Sequence, residues 1–333
     1  MSSPSFSILF IGITGYIGGA VALALKAKYP SAEFVAFARS TKLVSEIESL
    51  GFKTLVGSGV GEHDRSIIAK AALTADIVIN AADADDLGLT NAILGAVQNS
   101  TKRLPILIHT SGTGVVAEGN SGELIEGAKV WDDSKPEDIK AIDIKQRHRL
   151  ADVTILEAAK SNKFISYIIC PSIIYGVAHQ NPGNKISVIQ PALIRLAIQR
   201  RQAVYGGKGT NRWNVVHITD IVNLYLLVCE KALSERSTGH IPPDPFERFY
   251  FGAAESASFL EFARLIAPLL YERKLVDSPE AVSVPTGEVP SYFTTNSNVV
   301  SNRAFRDGWK PIAPPYEVFV REEVDATVKG LGL

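Results

Sequence analysis

In the first half of the chain, apolar positions fall into short unbroken runs separated by stretches of helical spacing. Phe6–Ile11, Phe34–Phe37, Ile77–Ile79, Ile106–Ile108 and Phe164–Ile169 are such runs, rich in β-branched and aromatic residues. Each is apolar on both faces, so the pattern predicts strands covered by helices on either side, as in a parallel sheet. Lys53–Val56 is a weaker strand candidate between the second and third. Helical spacing runs through Ile17–Tyr29, Lys42–Leu50, Ser66–Leu73 and Leu87–Val97, and through a long stretch from about Glu137 to Lys160. This alternation predicts an α/β fold with a doubly wound parallel sheet.

The character changes after Pro171. Tyr175–Lys185 carries Gly, Pro, Asn and His and reads as a loop. Helical patterns follow at Ser187–Arg200, Ile218–Leu233, Ser258–Leu270 and Tyr316–Val328, broken by the proline-rich stretches Ile241–Pro245 and Pro311–Pro315. The expected division is a sheet-bearing domain over residues 1–175, its sheet partly completed by later segments near 213–252, and a smaller α/β substrate lobe over 176–333.

The first run ends in Gly12-Ile13-Thr14-Gly15-Tyr16-Ile17-Gly18-Gly19, a G-x-x-G-x-x-G spacing after a strand and before a helix. Glycines there permit a sharp turn, a close approach of backbone to a pyrophosphate, and tight helix–strand packing. The phosphates would rest on the free N–H groups of the helix start. This is the dinucleotide-binding turn of a Rossmann-type sheet. Gly12, Thr14, Gly15, Tyr16, Ile17 and Gly18 are therefore candidate cofactor residues. An acid at the tip of the second strand would favour NAD(H). The tip instead reads Phe37-Ala38-Arg39-Ser40-Thr41-Lys42, where Arg39, Ser40 and Lys42 could hold a 2′-phosphate, so NADP(H) is expected over NAD(H).

Composition adds exclusions. The 333 residues are 46% hydrophobic and 21% charged with a formal net charge of −1, which gives no electrostatic reason to expect a nucleic-acid partner. The only cysteines, Cys170 and Cys229, are far apart and have no metal-ligand spacing, so neither a disulfide framework nor a metal site is expected. Glycines at 12, 15, 18 and 19 and the lack of a basic leader argue against a signal peptide over Phe6–Leu25. No other long apolar run predicts a membrane span, and a cytoplasmic location is expected.

Five ordered segments resemble the extended short-chain dehydrogenase/reductase group, which includes sugar-nucleotide epimerases, dehydratases and dihydroflavonol reductase-like enzymes. They are the glycine turn, Asp76-Ile77-Val78-Ile79-Asn80-Ala81-Ala82, Cys170-Pro171-Ser172-Ile173-Ile174-Tyr175-Gly176, Trp213-Asn214-Val215-Val216-His217-Ile218-Thr219-Asp220 and Gly308-Trp309-Lys310-Pro311. The resemblance adds Asn80, Ala81, Ala82, Pro171, Ile173 and Ile174 to the cofactor candidates. It also implies a small-molecule substrate, a pocket near Gln180–Ile186, Arg195, Arg212 and Trp213, and a homodimer as the common assembly. The resemblance fails at one place. The family's reductases carry Tyr-x-x-x-Lys, whereas the equivalent positions here are Ile144 and His148, with Cys170 in place of Arg and Gly112 at the serine position.

A hydride-transfer enzyme still needs a group to protonate the alkoxide. His148 is a candidate, with Asp152 one helical turn later to orient it; the alternatives are a surface pair or a ribose contact. Ser111 and Thr113 at the end of the fifth strand could bind a substrate oxygen, or satisfy loop backbone. Tyr175 is a possible replacement acid or a packing residue, His217 and Asp220 read as anchors between the lobes, and Asp132-Asp133 reads as a solvated cap. Three functions stay open: an oxidoreductase on a small carbonyl or alcohol, an isomerase or epimerase that recycles its dinucleotide, and a dinucleotide sensor without turnover.

Overall fold

The computed structural model describes residues 6–57 and 61–333. Seven parallel strands form the main sheet: β1 (Ser7–Ile11), β2 (Glu33–Ala38), β3 (Lys53–Val56), β4 (Ile77–Asn80), β5 (Ile106–Thr110), β7 (Ile165–Pro171) and β11 (Phe249–Gly252). Their spatial order is β11-β7-β5-β4-β1-β2-β3. The chain winds outward from β1 in one direction and from β4 in the other, which opens a crevice at the carboxyl ends of those two strands.

Both faces of the sheet are apolar because both are covered. Ile8 and Phe10 of β1 pack with α1 (Tyr16–Lys28) and α8 (Ile218–Thr238), whereas Leu9 and Ile11 join a second core with α3 (Glu62–Ala72), α4 (Leu87–Gln98) and α6 (Arg149–Ala159). The short α2 (Val44–Ser49) adds Ile47 to the first core. The late strand β11 fills the edge beside β7. The segment near 213 does not join this sheet. It forms β10 (Arg212–His217), which pairs with β8 (Ile173–Tyr175) and β12 (Glu255–Ser258) in a separate three-stranded sheet. A third core under that sheet is packed by α7 (Ile189–Arg200), α9 (Phe259–Glu272) and α11 (Tyr316–Gly330).

Two expectations fail here for the same reason. The predicted helix over 137–160 is two helices, α5 (Pro136–Lys140) and α6, with His148 between them at φ +65°. The intervening polar residues bond elsewhere: Gln146 Nε2 donates to the Ala117 carbonyl, and the His148 N–H to Asp85 Oδ1 at 2.9 Å. Asp132-Asp133, expected in solvent, is buried. Asp133 accepts the Phe251 N–H at 3.0 Å and the Arg303 N–H at 2.7 Å, fastening its loop to β11 and to α10 (Asn302–Arg306). Asp220 is a similar anchor: its carboxylate accepts the N–H groups of Ile312 and Ala313, and its carbonyl accepts Trp309 Nε1 at 2.8 Å.

Candidate functional site

The turn after β1 is shaped by two glycines. Gly12 has φ +98°, and a Cβ there would lie 2.5 Å from the Ala81 carbonyl oxygen. A Cβ on Gly18 would lie 2.1 Å from the Gly12 carbonyl oxygen, so α1 could not seat against the strand. The Gly15 N–H donates to the Gly12 carbonyl at 2.9 Å, and α1 begins with no side-chain cap and no acidic residue in its first turn. Its free N–H groups and dipole favour an anion.

A cleft of about 360 Å³ opens beside this turn, bounded by Ile11, Gly12, Thr14 and Gly15, by Phe37 of β2 and Arg39 just after it, and by Ala81, Ala82, Asp83 and Asp86 after β4. The structure thus gathers Gly12, Thr14, Gly15, Arg39, Ala81 and Ala82 around one space. Arg39 and Lys42 are exposed and have no ion partner among the described residues. Ser40 Oγ accepts the Lys42 N–H at 3.2 Å. The other candidates act behind the cleft. The Tyr16 hydroxyl donates to the Gly176 carbonyl at 2.6 Å, Ile17 and Ile174 belong to the core under α1, and Ile173 belongs to the C-terminal core. Pro171 ends β7 opposite Gly252. Asn80 Oδ1 accepts the Ala82 N–H at 3.2 Å, and its amide faces His109 Nδ1 at 3.2 Å.

The glycine turn is backed by a second-lobe loop. Ala178 and Lys185 close that loop through an N–H to carbonyl bond of 2.9 Å. The Asn184 N–H donates to the Thr14 carbonyl at 2.9 Å, and the buried Asn181 side-chain amide donates to the carbonyls of Tyr16 at 2.8 Å and Gly15 at 3.3 Å.

At the β5 end of the crevice, His148 departs from its expected partner. Asp152 does not orient it, because Asp152 is buried and accepts from Ser111 Oγ at 2.9 Å. His148 Nδ1 instead lies 2.8 Å from Asp85 Oδ1, in the loop after β4, and Arg147 Nε lies 3.5 Å from the other Asp85 oxygen. Burial pushes the His148 pKa below its ordinary value, with Asp85 opposing, while His148 helps hold the Asp85 carboxyl low. His148 Nε2 has no partner among the described residues and would sit 3.3 Å from a Cβ on Gly112 and 3.7 Å from one on Gly114. Two of the departures from the family pattern, Gly112 and His148, are therefore neighbours.

The remaining candidates are enclosed. Ser111 is committed to Asp152, whose pKa burial raises to about 7. Thr113 is buried, and its carbonyl accepts Ser297 Oγ at 2.9 Å. Tyr175 is buried among His217, Tyr316 and Phe319, and its hydroxyl donates to the Pro314 carbonyl at 2.8 Å, so it is not placed to protonate a substrate. Arg212 bonds to Ser256 and Glu261 and is not free for an anion. Sequence reasoning missed Asp85 and His109, the latter fully buried with its pKa lowered to about 4 by desolvation, and it put Asn181 in a pocket segment without seeing that its amide holds the glycine turn. Only Asp85 had a local signal, as an acid in a loop at the carboxyl end of a strand. Among the described residues no cluster of three or more His, Cys, Asp or Glu could hold a metal, and no helix is long and apolar enough to cross a membrane.

No protein-family model matches the chain. It is 25% identical to oxidase ucsJ of an Acremonium species, over 96% of this chain and 97% of that protein. It is also 25% identical to an uncharacterized protein of Schizosaccharomyces pombe, over 91% and 94%. Among solved structures it superposes on a Bacillus anthracis dTDP-glucose 4,6-dehydratase in complex with NAD, with a TM-score of 0.65 at 16% identity over 98% and 97% of the two chains. A Bacillus cereus UDP-glucuronic acid 4-epimerase with UDP-glucuronic acid and NAD gives 0.62 at 15% identity over 97% and 99%.

Proposed function

We propose that this chain, which has the fold of the extended short-chain dehydrogenases/reductases, is an NADP(H)-dependent oxidoreductase that interconverts a small carbonyl and its alcohol. The reading rests on one observation: His148 has Nδ1 held by Asp85 and Nε2 open beside Gly112. The dinucleotide, when bound, supplies or accepts the hydride. Gly12, Gly15 and the start of α1 would cradle its pyrophosphate, and Arg39 with Ser40 and Lys42 would take a 2′-phosphate.

The proton falls to His148. In the reducing direction the imidazolium keeps its Nδ1 proton on Asp85 and gives its Nε2 proton to the oxygen that becomes the alcohol. In the oxidising direction the neutral ring, with Nδ1–H still donated to Asp85, takes the alcohol proton at Nε2. Asp85 fixes the tautomer and steadies the positive ring. The similarity to a protein named an oxidase supports net redox chemistry. The dehydratase and epimerase folds keep a recycled dinucleotide as the rival reading.

The deciding experiment titrates NADPH and NADH by fluorescence and follows reduced-nicotinamide absorbance with a carbonyl panel. NADPH is expected to bind about tenfold tighter than NADH, and Arg39→Ala to erase that difference. Equal binding of both removes the NADP(H) assignment, and turnover without net absorbance change favours the recycling enzyme.

A further inference from the structure

The segment after β5 passes beside His148 without presenting a side chain to it. Gly112 and Gly114 are partly exposed, whereas Ser111, Thr113 and Val115 are buried. The hydroxyls of this stretch are enclosed: Ser111 Oγ donates to Asp152 Oδ2 at 2.9 Å, and Thr113 Oγ1 is sealed from solvent. What the crevice meets over 112–114 is therefore backbone.

Neither glycine is required by the backbone. Gly112 has φ −166° and ψ 149°, extended values that any residue adopts, and Gly114 lies in the turn Thr113–Val116 outside the left-handed region. Both missing side chains would project toward one edge of the same imidazole. A Cβ on Gly112 would lie 3.3 Å from His148 Nε2 and 3.4 Å from its Cδ2. A Cβ on Gly114 would lie 3.7 Å from Nε2, 3.8 Å from Cδ2 and 3.7 Å from Arg147 Cδ. The distances at Gly114 are ordinary van der Waals contacts, so packing within the protein does not demand glycine there either. What a side chain would obstruct is access: an oxygen accepting from Nε2 has to come within about 3 Å of that nitrogen.

We propose that Gly112 and Gly114 determine what the crevice accepts: they clear a side-chain-free strip of backbone at the Nε2–Cδ2 edge of His148 that seats the flat face of a ring, so that the substrate is a ring ketone or the corresponding secondary alcohol. This deepens the oxidoreductase reading and rests on it. Glycine lets a ligand approach the backbone closely. From Gly112 to Gly114 the strip spans at most about 7 Å, room for one six-membered ring. The stem of Arg147 borders it at the Gly114 end. The strip offers no side-chain donor or acceptor to the hydroxyls of a polyol, which would give up water without replacement. The ring oxygen meets Nε2. Hydride adds to the carbonyl carbon, the C=O π pair moves to oxygen, and His148 supplies the proton, leaving a secondary alcohol and the oxidised dinucleotide.

The test compares 1-tetralone and cyclohex-2-enone with acetone and dihydroxyacetone, using the full chain with NADPH and following absorbance. At least one ring ketone is expected to exceed both open-chain ketones in kcat/KM by about tenfold or more, and Gly114→Val to lower its kcat/KM about tenfold, chiefly through KM. Gly112→Ala, whose Cβ crowds Nε2 itself, is expected to lower kcat instead. Both variants should keep the wild-type NADPH titration and urea midpoint, which separates blocked access from misfolding. A second arm needs no turnover: 1-tetralone is expected to shift the ring-proton NMR signals of His148, assigned by their loss in His148→Ala, and to leave them in place in Gly114→Val. The seat is overturned if ring ketones do no better than open-chain ones, if their advantage survives Gly114→Val, or if the His148 signals do not move. Signals that move without any NADPH oxidation keep the seat and remove the oxidoreductase reading.

Discussion

The two ends of the crevice are made in different ways. At the β1 end the surface is backbone: a turn with a positive φ, a helix start and glycines without which neither could approach the other. At the β5 end it is side chains brought from afar. His148 meets Asp85 across 63 residues of sequence, Ser111 meets Asp152 across 41, and Ser297 meets Thr113 across 184. A backbone site has few solutions, so the glycine spacing is kept whole. A side-chain site can be rebuilt from other residues on the same strands, and here His148, held by Asp85 from the loop after β4, falls at the position of the family's Lys, with Ile144 at that of its Tyr.

The sharpest way to separate the ends is His148→Ala. Turnover is expected to fall about 10²–10⁴-fold, the usual contribution of a positioned acid–base group, while the NADPH dissociation constant stays unchanged. The pH profile checks the same group. Because burial lowers the His148 pKa, the reductive rate is expected to fall as pH rises through a value below 6.5; Asp85→Asn removes an opposing influence and moves that fall to lower pH. A profile unmoved by Asp85→Asn would disconnect the pair.

A second probe is stability beneath the β5 end. His109 is held neutral when folded, with a pKa of about 4, so the unfolded chain binds a proton that the folded chain refuses between the two pKa values. The His109 contribution is complete above about pH 6.5 and is lost as pH falls toward 4, with a ceiling of about 3 kcal/mol. Asp152, raised to about 7, has the opposite slope over much of that window, so the wild-type curve is flattened. Relative to wild type, His109→Gln is therefore expected to gain stability progressively on acidification, read from urea midpoints at several pH values. A pH-independent difference would place the imidazole in contact with water.

The mildest intervention belongs to the β1 end. Gly12→Ala places a Cβ against the Ala81 carbonyl at a φ that L-residues avoid, and is expected to cost about 1–3 kcal/mol of stability and to weaken dinucleotide binding. Turnover at saturating NADPH should change little, the reverse of the His148 variant.

Legibility in the sequence follows the same divide. Lys53–Val56 forms a strand with the predicted ends, and the predicted Ile17–Tyr29 helix is observed over Tyr16–Lys28, because local patterning determines both. The stretch 137–160 kept helical spacing through Ile139, Ile142, Ile155 and Leu156, all buried, yet it breaks where Gln146 and His148 bond to distant loops. The burial of Asp133 is set by Phe251 and Arg303, more than a hundred residues away, and no window around it carries that information. Asp85 as the partner of His148 was hidden for the same reason: pairing across strands is a property of the sheet order, not of spacing.

The loop closed by Ala178 and Lys185 holds the glycine turn by its oxygens, and a peptide group is one conjugated unit. Drawing charge toward the carbonyls of Gly15 and Tyr16 makes the N–H groups of Tyr16 and Ile17, at the other ends of the same planes, stronger donors. The anion seat and the second-lobe loop are thus two handles on the same peptides. Whatever presses on one is felt at the other, and thermodynamic reciprocity makes the traffic equal in both directions.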